Sequence, residues 1–353
     1  MTLISPRPMA PVEWDTEALF KEAKRRRRRR WAVGLVSLLI VIAAAILAVQ
    51  GSSSPRHPRI KPGLGLPEWN SPSTSSRPAP TEYVAGDGKG GIGVYATATG
   101  ALVRTIAPQN NGGPDQQAMV TSDGKTVYFA RPNGGCPGII EVGPVSGASS
   151  PVSVISIPGI VAVEPSPSPA SSDLAWVGAN CGSDNTSSSL YVTNLSTRTR
   201  TDLGPYSGSN SDDGVAWSDD GHLLAVESGS TVRVIGVDQT TTSGRALIAP
   251  DGCRTSSPAF VPTHDQVAAI RTCYNTKGTE TSSSVLVFNS TTGRPVARLF
   301  EADPGRTIES MSVDSSGHVL LGVTNGSGGA ELDQVKQGRL VTISAVSLTG
   351  AQW

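Results

Sequence analysis

The sequence lacks the short motifs that identify many hydrolases and metal-binding domains. It contains no G-x-S-x-G nucleophile elbow, no S-x-D-x-G-x-x-W box and no D-x-D-x-D-G calcium loop. Its four cysteines show no C-x2-C spacing, and three of them have no histidine within ten residues, which argues against a zinc site. We therefore predict no catalytic residue, no cofactor and no metal ligand, and we expect a protein that is not an enzyme.

Helical periodicity is absent beyond Thr81, and so is a basic surface stripe. Of the 29 basic and 29 acidic residues, twelve and four lie at or before Lys61, which leaves seventeen and twenty-five for the rest. The later part is therefore net acidic, and its few arginines are scattered along the chain. Because an acidic domain repels phosphate backbones, we predict that nucleic acid is not a partner.

One long apolar run follows the basic N-terminal region. The run from Trp31 to Val49 contains no charge, and as a helix it spans about 28 Å, close to the hydrocarbon thickness of a bilayer. Eight basic side chains closely precede it and three follow, which predicts a cytoplasmic N-terminus and an extracellular C-terminal domain. A cleaved signal peptide is the alternative, but the run exceeds the usual signal core. We expect a cytoplasmic segment at 1–30 and a single transmembrane helix at 31–50, which contacts the lipid bilayer of the cell membrane.

The next thirty residues, 51–80, contain seven prolines and seven serines. Such a segment has too little apolar surface to fold alone, so we predict a semi-extended spacer. As a full polyproline II helix it would hold the following domain up to roughly 90 Å from the bilayer.

From residue 81 to 353 the sequence repeats itself. Each unit contains a strand, a Ser/Asp/Gly turn and an apolar second strand, followed by a hairpin with a polar turn. The first turns fall near positions 124, 173, 221, 265 and 317, so one unit is about forty-eight residues, the length of a four-stranded propeller blade. The stretch from Glu82 to Ile106 adds a unit without a clear first strand, which predicts an all-β, six-bladed β-propeller. Ring closure stays open at this stage, since TEYVAG and RLVTISAVSLTG at the two ends can complete one shared blade.

The turns SDDG and TSDG and the hairpins TATGA and STTGR resemble those of TolB-like and WD40-like β-propellers. The order of an arginine run, one span, a Pro/Ser spacer and a propeller is similar to membrane-anchored WD40-repeat-like proteins of actinobacteria. The Gly-His and Trp-Asp signatures of true WD40 blades are missing. The resemblance implies an architecture and no particular activity.

All four cysteines follow the apolar run, and an even number in an exported domain favours two disulfides. In four-stranded blades, Cys136, Cys181 and Cys273 follow second strands and Cys253 follows a fourth strand, so all four lie on one face. This register pairs Cys136 with Cys181 and Cys253 with Cys273, because the alternatives would have to cross the ring.

The longest predicted loops lie on that same face, which we call the long-loop face: 131–137, 179–189, 272–284 and 325–338. The turns that carry His222, His264 and His318 lie on the opposite face, and they belong to different repeats, so these histidines are not expected to converge. Since long loops on a rigid scaffold usually carry function, we expect a protein or surface ligand on the long-loop face.

These features predict a membrane-tethered extracytoplasmic propeller that acts as a binding or scaffold module for an unknown ligand. Two alternatives stay open. One is transmembrane signalling through the cytoplasmic segment, and the other is a propeller enzyme of the lactonase, lyase or glycosidase type. Acidic residues converging at the mouth of the ring would favour the enzyme.

Overall fold

The structure is a computed structural model. It describes residues 66–67, 78–87, 91–108, 118–121, 123–131, 138–147, 149–181, 188–207, 214–262, 265–325, 330–336, 339–344 and 349–352. All regular elements in these residues are β-strands, twenty-four in number. The first twelve are β1 (Glu82–Gly86), β2 (Ile92–Ala96), β3 (Leu102–Ala107), β4 (Ala118–Val120), β5 (Thr126–Arg131), β6 (Ile139–Pro144), β7 (Val152–Ser156), β8 (Ile160–Pro167), β9 (Asp173–Asn180), β10 (Ser188–Asn194), β11 (Thr199–Tyr206) and β12 (Val215–Trp217). The others are β13 (Leu223–Ser228), β14 (Thr231–Gly236), β15 (Arg245–Ala246), β16 (Cys253–Phe260), β17 (Gln266–Tyr274), β18 (Glu280–Asn289), β19 (Pro295–Glu301), β20 (Arg306–Val313), β21 (Val319–Asn325), β22 (Ala330–Lys336), β23 (Arg339–Ser344) and β24 (Thr349–Gln352).

The strands form six antiparallel four-stranded sheets, which are the blades of a propeller. From the inside outward, blade 1 is β24-β1-β2-β3, blade 2 is β4-β5-β6-β7 and blade 3 is β8-β9-β10-β11. Blade 4 is β12-β13-β14-β15, blade 5 is β16-β17-β18-β19 and blade 6 is β20-β21-β22-β23. Each inner strand contacts the inner strands of the two neighbouring blades, so the six form a closed ring. The predicted all-β, six-bladed propeller is confirmed.

Six hydrophobic clusters hold the ring together, one for each pair of neighbouring blades. Alternate residues of a strand point to opposite faces of its sheet, and each face of a blade is covered by the next blade. Between blades 3 and 4, for example, Leu190 packs in one cluster with Trp217 and Leu224. This two-sided packing explains why the central strands of the blades are nearly continuously apolar, whereas outer strands such as β3 are largely exposed.

The two ends of the described propeller meet in blade 1. The last strand, β24, pairs with β1, with Val84 opposite Gln352 and Gly86 opposite Thr349. The C-terminal residues therefore supply the inner strand that the first repeat lacks. This settles the closure that the repeat pattern left open.

The predicted pairing of Cys253 with Cys273 is confirmed. The two residues lie directly opposite each other on β16 and β17, and their sulfurs form a disulfide. Cys181 is also disulfide-bonded. Its predicted partner Cys136 lies outside the described residues, so that pairing stays a prediction.

The basic segment 1–30, the predicted span 31–50 and most of the spacer 51–80 also lie outside the described residues. In the part of the chain that the structure describes, no helix has the length and apolar character that a membrane crossing requires.

Two short pieces of the spacer are described, and both contact the propeller. Leu66 packs against the hydrophobic cluster between blades 4 and 5. The carbonyl oxygen of Pro67 accepts a hydrogen bond of 2.9 Å from the backbone N–H of Arg298, on the outer strand of blade 5. Pro78 and Pro80 lie beside the centre of the ring. The sequence predicted an extended spacer but not this docking.

Candidate binding cavity

A cavity of about 580 Å³ lies where the six inner strands meet. Each of these strands contributes its last residue to the wall: Val120, Pro167, Trp217, Phe260, Val313 and Gln352. The volume is in the range of sites that bind small molecules or short peptide segments.

The cavity opens on the face that carries the turns between first and second strands, which we call the turn face. Its rim includes Asp123 and Gly124 of the blade 2 turn, Asp219 of the blade 4 turn, and Asp314 of the blade 6 turn. This is the face opposite the long loops. Two of the predicted long loops are shorter than expected, because strand β22 occupies Ala330–Lys336 and because β17 and β18 leave only 275–279 between them. Residues 132–137 and 182–187 of the other two lie outside the described residues, so a ligand on the long-loop face remains a prediction.

Among the described residues that line the cavity, four carry a carboxylate and none is a lysine or an arginine. The carboxylates belong to Glu82, Asp123, Asp219 and Asp314, from blades 1, 2, 4 and 6. The acids are thus dispersed around the ring. Among the described residues, no group of three or more His, Cys, Asp or Glu side chains is placed to hold a metal ion. Lys125 pairs with Asp123 at 3.3 Å, but the described lining is still net negative, and it therefore favours a positively charged ligand group.

Two of the rim aspartates also stabilise their own turns. Oδ1 of Asp123 accepts hydrogen bonds from the hydroxyl of Thr121 (2.7 Å) and the backbone N–H of Lys125 (3.1 Å), and these bonds lower the pKa of Asp123. Asp314 accepts the backbone N–H of Ser316 (2.9 Å) and of His318 (2.7 Å). Glycines at φ +69° (Gly124) and +82° (Gly317) complete the turns. The repeated Ser-Asp-Gly signal is therefore a turn signal that also places carboxylates at the rim.

The walls below the rim are apolar and aromatic. The indole N–H of Trp217 donates to the carbonyl oxygen of Ser166 at 2.7 Å, which links the inner strands of blades 3 and 4 and fixes the ring beside the cavity. Tyr83 stacks on Tyr95 with 5.5 Å between ring centroids. Burial, with a smaller contribution from Tyr95, raises the pKa of Tyr83 to about 12, so its phenol stays neutral at physiological pH.

The histidine turns show no shared site among the described residues. His222 is exposed, and its backbone N–H donates to Asp220. Nδ1 of His318 lies 2.8 Å from Oδ2 of Asp314 in its own turn of blade 6. His264 lies outside the described residues.

A second polar cluster is buried between blades 3 and 4. The Tyr206 hydroxyl donates to Oε2 of Glu164 at 2.8 Å, and Glu164 is buried with a positive φ of 51°. Burial first, and then the charge of Glu164, raise the pKa of Tyr206 well above its ordinary value. Gly214 lies against this pair and leaves no room for a side chain. The cluster does not line the cavity, and its hydrogen bond joins the inner and outer strands of blade 3 on the side that packs against blade 4.

Comparison with solved structures identifies the architecture. TolB from Acinetobacter baumannii superposes with a TM-score of 0.57 at 16% identity, over 77% of this chain and 65% of the TolB chain. In fold, this chain resembles the TolB β-propellers. A TolB protein from Agrobacterium tumefaciens superposes with a TM-score of 0.52 at 13% identity, over 70% of this chain and 86% of the Agrobacterium chain. A chain of the nidogen/laminin complex superposes with a TM-score of 0.51 at 11% identity, over 77% of this chain and 97% of that one.

The TolB-like chain spans less than two thirds of the Acinetobacter protein. No family model matches its sequence, and no curated protein matches it either. At these identities the comparisons establish the fold of the TolB-like domain and nothing about its ligand.

Sequence reasoning missed the cavity walls of this TolB-like propeller, although a signal was present. The residue just before each turn, such as Trp217 before SDDG, is apolar in five repeats. That position is the end of every inner strand, and in a closed ring the inner-strand ends converge.

Proposed function

We propose that this chain is a membrane-tethered binding module whose ligand site is the central cavity on the turn face. The observation that supports the proposal is the composition of the described cavity lining, which has apolar walls from all six blades, four carboxylates and no lysine or arginine. Such a site suits a ligand with an apolar body and a positive group, for example a peptide segment that carries a basic residue. The described rim carboxylates are dispersed, which supports binding over catalysis.

The binding test uses the full chain purified in detergent and two fluorescent dipeptide probes, Phe-Arg amide and Phe-Glu. The cationic probe should bind, with an affinity that falls as salt is raised because exposed charges are screened. Asp219→Asn should weaken binding several-fold. Asp251→Asn is the matched control, since it removes the same charge from an exposed residue that does not line the cavity.

Equal binding of the two dipeptides would contradict the proposal. So would equal effects of the two aspartate substitutions, because a general charge effect does not depend on the position of the acid.

The tether is proposed from the apolar run at 31–50 and its flanking charges. Protease added to intact spheroplasts should then digest the propeller and spare the N-terminal segment. Protection of the propeller would contradict this orientation, and release of the propeller in soluble form before protease treatment would indicate a cleaved signal peptide.

A further inference from the structure

Arg271 is a buried cation without a partner in the described part of the chain. It lies on β17, is only 8% exposed, and its Nε atom has no hydrogen-bond acceptor among the described residues. No hydrogen bond or ion pair within 4 Å joins the Arg271 guanidinium to another described residue. A buried charge is normally paired, because the energy of removing it from water must be recovered locally. Burial accordingly lowers the pKa of Arg271, although the group stays protonated.

Two hydroxyl side chains lie directly beside Arg271 in the sheet. The residue opposite on β16 is Thr255, and the residue opposite on β18 is Ser284. Directly opposed residues project to the same face, which here is the face that packs toward blade 4. Ser284 is fully buried, and its Oγ also has no hydrogen-bond partner among the described residues. A guanidinium and an unsatisfied hydroxyl donor therefore stand side by side on one face of the sheet at this point.

The framework around this point is rigid. Cys253 and Cys273, joined by the disulfide, lie two residues before Thr255 and two residues after Arg271, on the same face of the sheet. The backbone N–H of Val232 in blade 4 donates to the Thr255 hydroxyl at 2.8 Å, which fixes the neighbouring blade. Arg271 lies near the end of β17 that belongs to the long-loop face. The site is therefore at the rim of the propeller opposite the central cavity.

The charges nearby indicate which anion fits. Glu301 is the residue opposite Ser284 on β19, and it already pairs with Arg298. The negative charge of Glu301 acts on Arg271 from too far away to form an ion pair. Arg298 also acts on Arg271, so the pair of Arg298 and Glu301 adds little net charge, and the site offers one unpaired cation, which a singly charged anion neutralises.

We propose that Arg271 and Ser284 form a binding site for a carboxylate group, supplied by a small organic acid or by the C-terminus of a peptide. The guanidinium binds a carboxylate in a bidentate, planar arrangement, and the Ser284 hydroxyl donates a further hydrogen bond to it. This site goes beyond the proposed function, since it lies on the other face and uses none of the cavity residues.

The test uses the full chain in detergent, labelled with ¹⁵N-arginine, and N-acetylglycine as the probe at constant ionic strength. The Nε–H resonance of Arg271 should shift and saturate with N-acetylglycine, but not with its neutral analogue N-acetylglycinamide. Ser284→Ala should weaken binding about two- to tenfold, the range expected for one hydrogen bond. Acetate distinguishes the two sources of the carboxylate. If acetate binds as tightly as N-acetylglycine, the ligand is a small organic acid; if acetate binds more weakly, the ligand is the C-terminus of a peptide.

Variants separate this site from a purely structural arginine. N-acetylglycine should raise the midpoint of thermal unfolding of the parent protein, and Arg271→Gln should abolish that rise. Arg254→Gln, which removes an arginine stacked on Tyr274, should leave it intact.

Glu301→Gln gives the sharpest contrast. It should tighten carboxylate binding, since it removes a nearby negative charge, whereas it would destabilise the protein if Glu301 were the true partner of Arg271. The absence of a saturable shift, tighter binding of inorganic phosphate than of N-acetylglycine, or weaker carboxylate binding in Glu301→Gln would each overturn the proposal. The Asp219→Asn test of the central cavity is independent of all these outcomes.

Discussion

Gly214 occupies a position where the structure predicts a large effect from adding a single methyl group. A Cβ atom at this residue would lie 2.0 Å from the Tyr206 hydroxyl oxygen and 2.6 Å from Oε2 of Glu164. These are the two atoms of the buried 2.8 Å hydrogen bond between β8 and β11. Gly214→Ala therefore has to displace the hydroxyl by more than 1 Å, which breaks the bond and overpacks the joint between blades 3 and 4.

The expected loss of stability combines two costs and one gain. Overpacking a filled core costs about 1–3 kcal/mol. Losing a hydrogen bond to a buried carboxylate costs about 1.5–3 kcal/mol. The reduced backbone freedom of the unfolded chain returns about 0.4–1 kcal/mol. We therefore expect Gly214→Ala to lower the free energy of unfolding by about 3 kcal/mol.

Urea unfolding of the oxidised full chain in detergent, followed by tryptophan fluorescence, measures this loss. Gly143→Ala is the matched control, because the nearest atom to its added methyl is Cγ of Pro151 at 3.3 Å, and it should cost less than about 1 kcal/mol. In a Tyr206→Phe background the clash with the hydroxyl is gone, so the two substitutions should be non-additive by at least about 1 kcal/mol. Additive effects, or a Gly214→Ala loss no larger than that of Gly143→Ala, would refute the reasoning.

Three further predictions concern the disulfide, a rim turn and the spacer. Replacing Cys253 and Cys273 together by serine should lower the free energy of unfolding by about 3 kcal/mol, since the bond closes a loop with a sequence separation of 20; unchanged urea unfolding under non-reducing conditions would contradict this. The lowered pKa of Asp123 stabilises the fold above the pKa of the unfolded chain, and this stabilisation disappears as pH falls below about 4. In Asp123→Asn, the midpoint of thermal unfolding should therefore fall less steeply with pH in that acidic range. The same steepness as in the parent protein would contradict the hydrogen bonds of Asp123 with Thr121 and Lys125. Leu66→Ser should speed limited proteolysis within residues 51–80 several-fold, whereas Leu102→Ser, at an exposed leucine of β3, should not; equal rates would show that Leu66 is not docked.

The propeller could be predicted because its signals are local and repeated. Each turn between first and second strands is specified by a few neighbouring residues, as where Asp123 accepts the backbone N–H of Lys125 and Gly124 takes a positive φ, and five copies fix the blade length. The pairing of Cys253 with Cys273 follows from the same register, because the two residues are separated by one hairpin. Turn-forming residues and their repetition along the chain were therefore sufficient to predict the propeller and this disulfide.

The features that escaped prediction depend on contacts between distant parts of the chain. Thr349–Gln352 is only four residues long, and its identity as an inner strand comes from pairing with β1 at the other end of the domain. The cavity exists only when Trp217 and its equivalents in the other blades converge on one axis. Arg271 looks in sequence like an ordinary strand arginine, and only the folded structure shows that its Nε atom has no hydrogen-bond acceptor among the described residues.

The docking of Leu66 and Pro67 on blade 5 has a mechanical consequence. The seam of the ring lies in blade 1, where β1 is paired to the short strand β24. A pull applied to the chain upstream of Leu66 is borne first by the Leu66 packing and by the hydrogen bond between Pro67 and Arg298. Tension therefore enters the domain through a complete blade two positions away from the seam, and the closing strand pair carries load only after that anchor has detached.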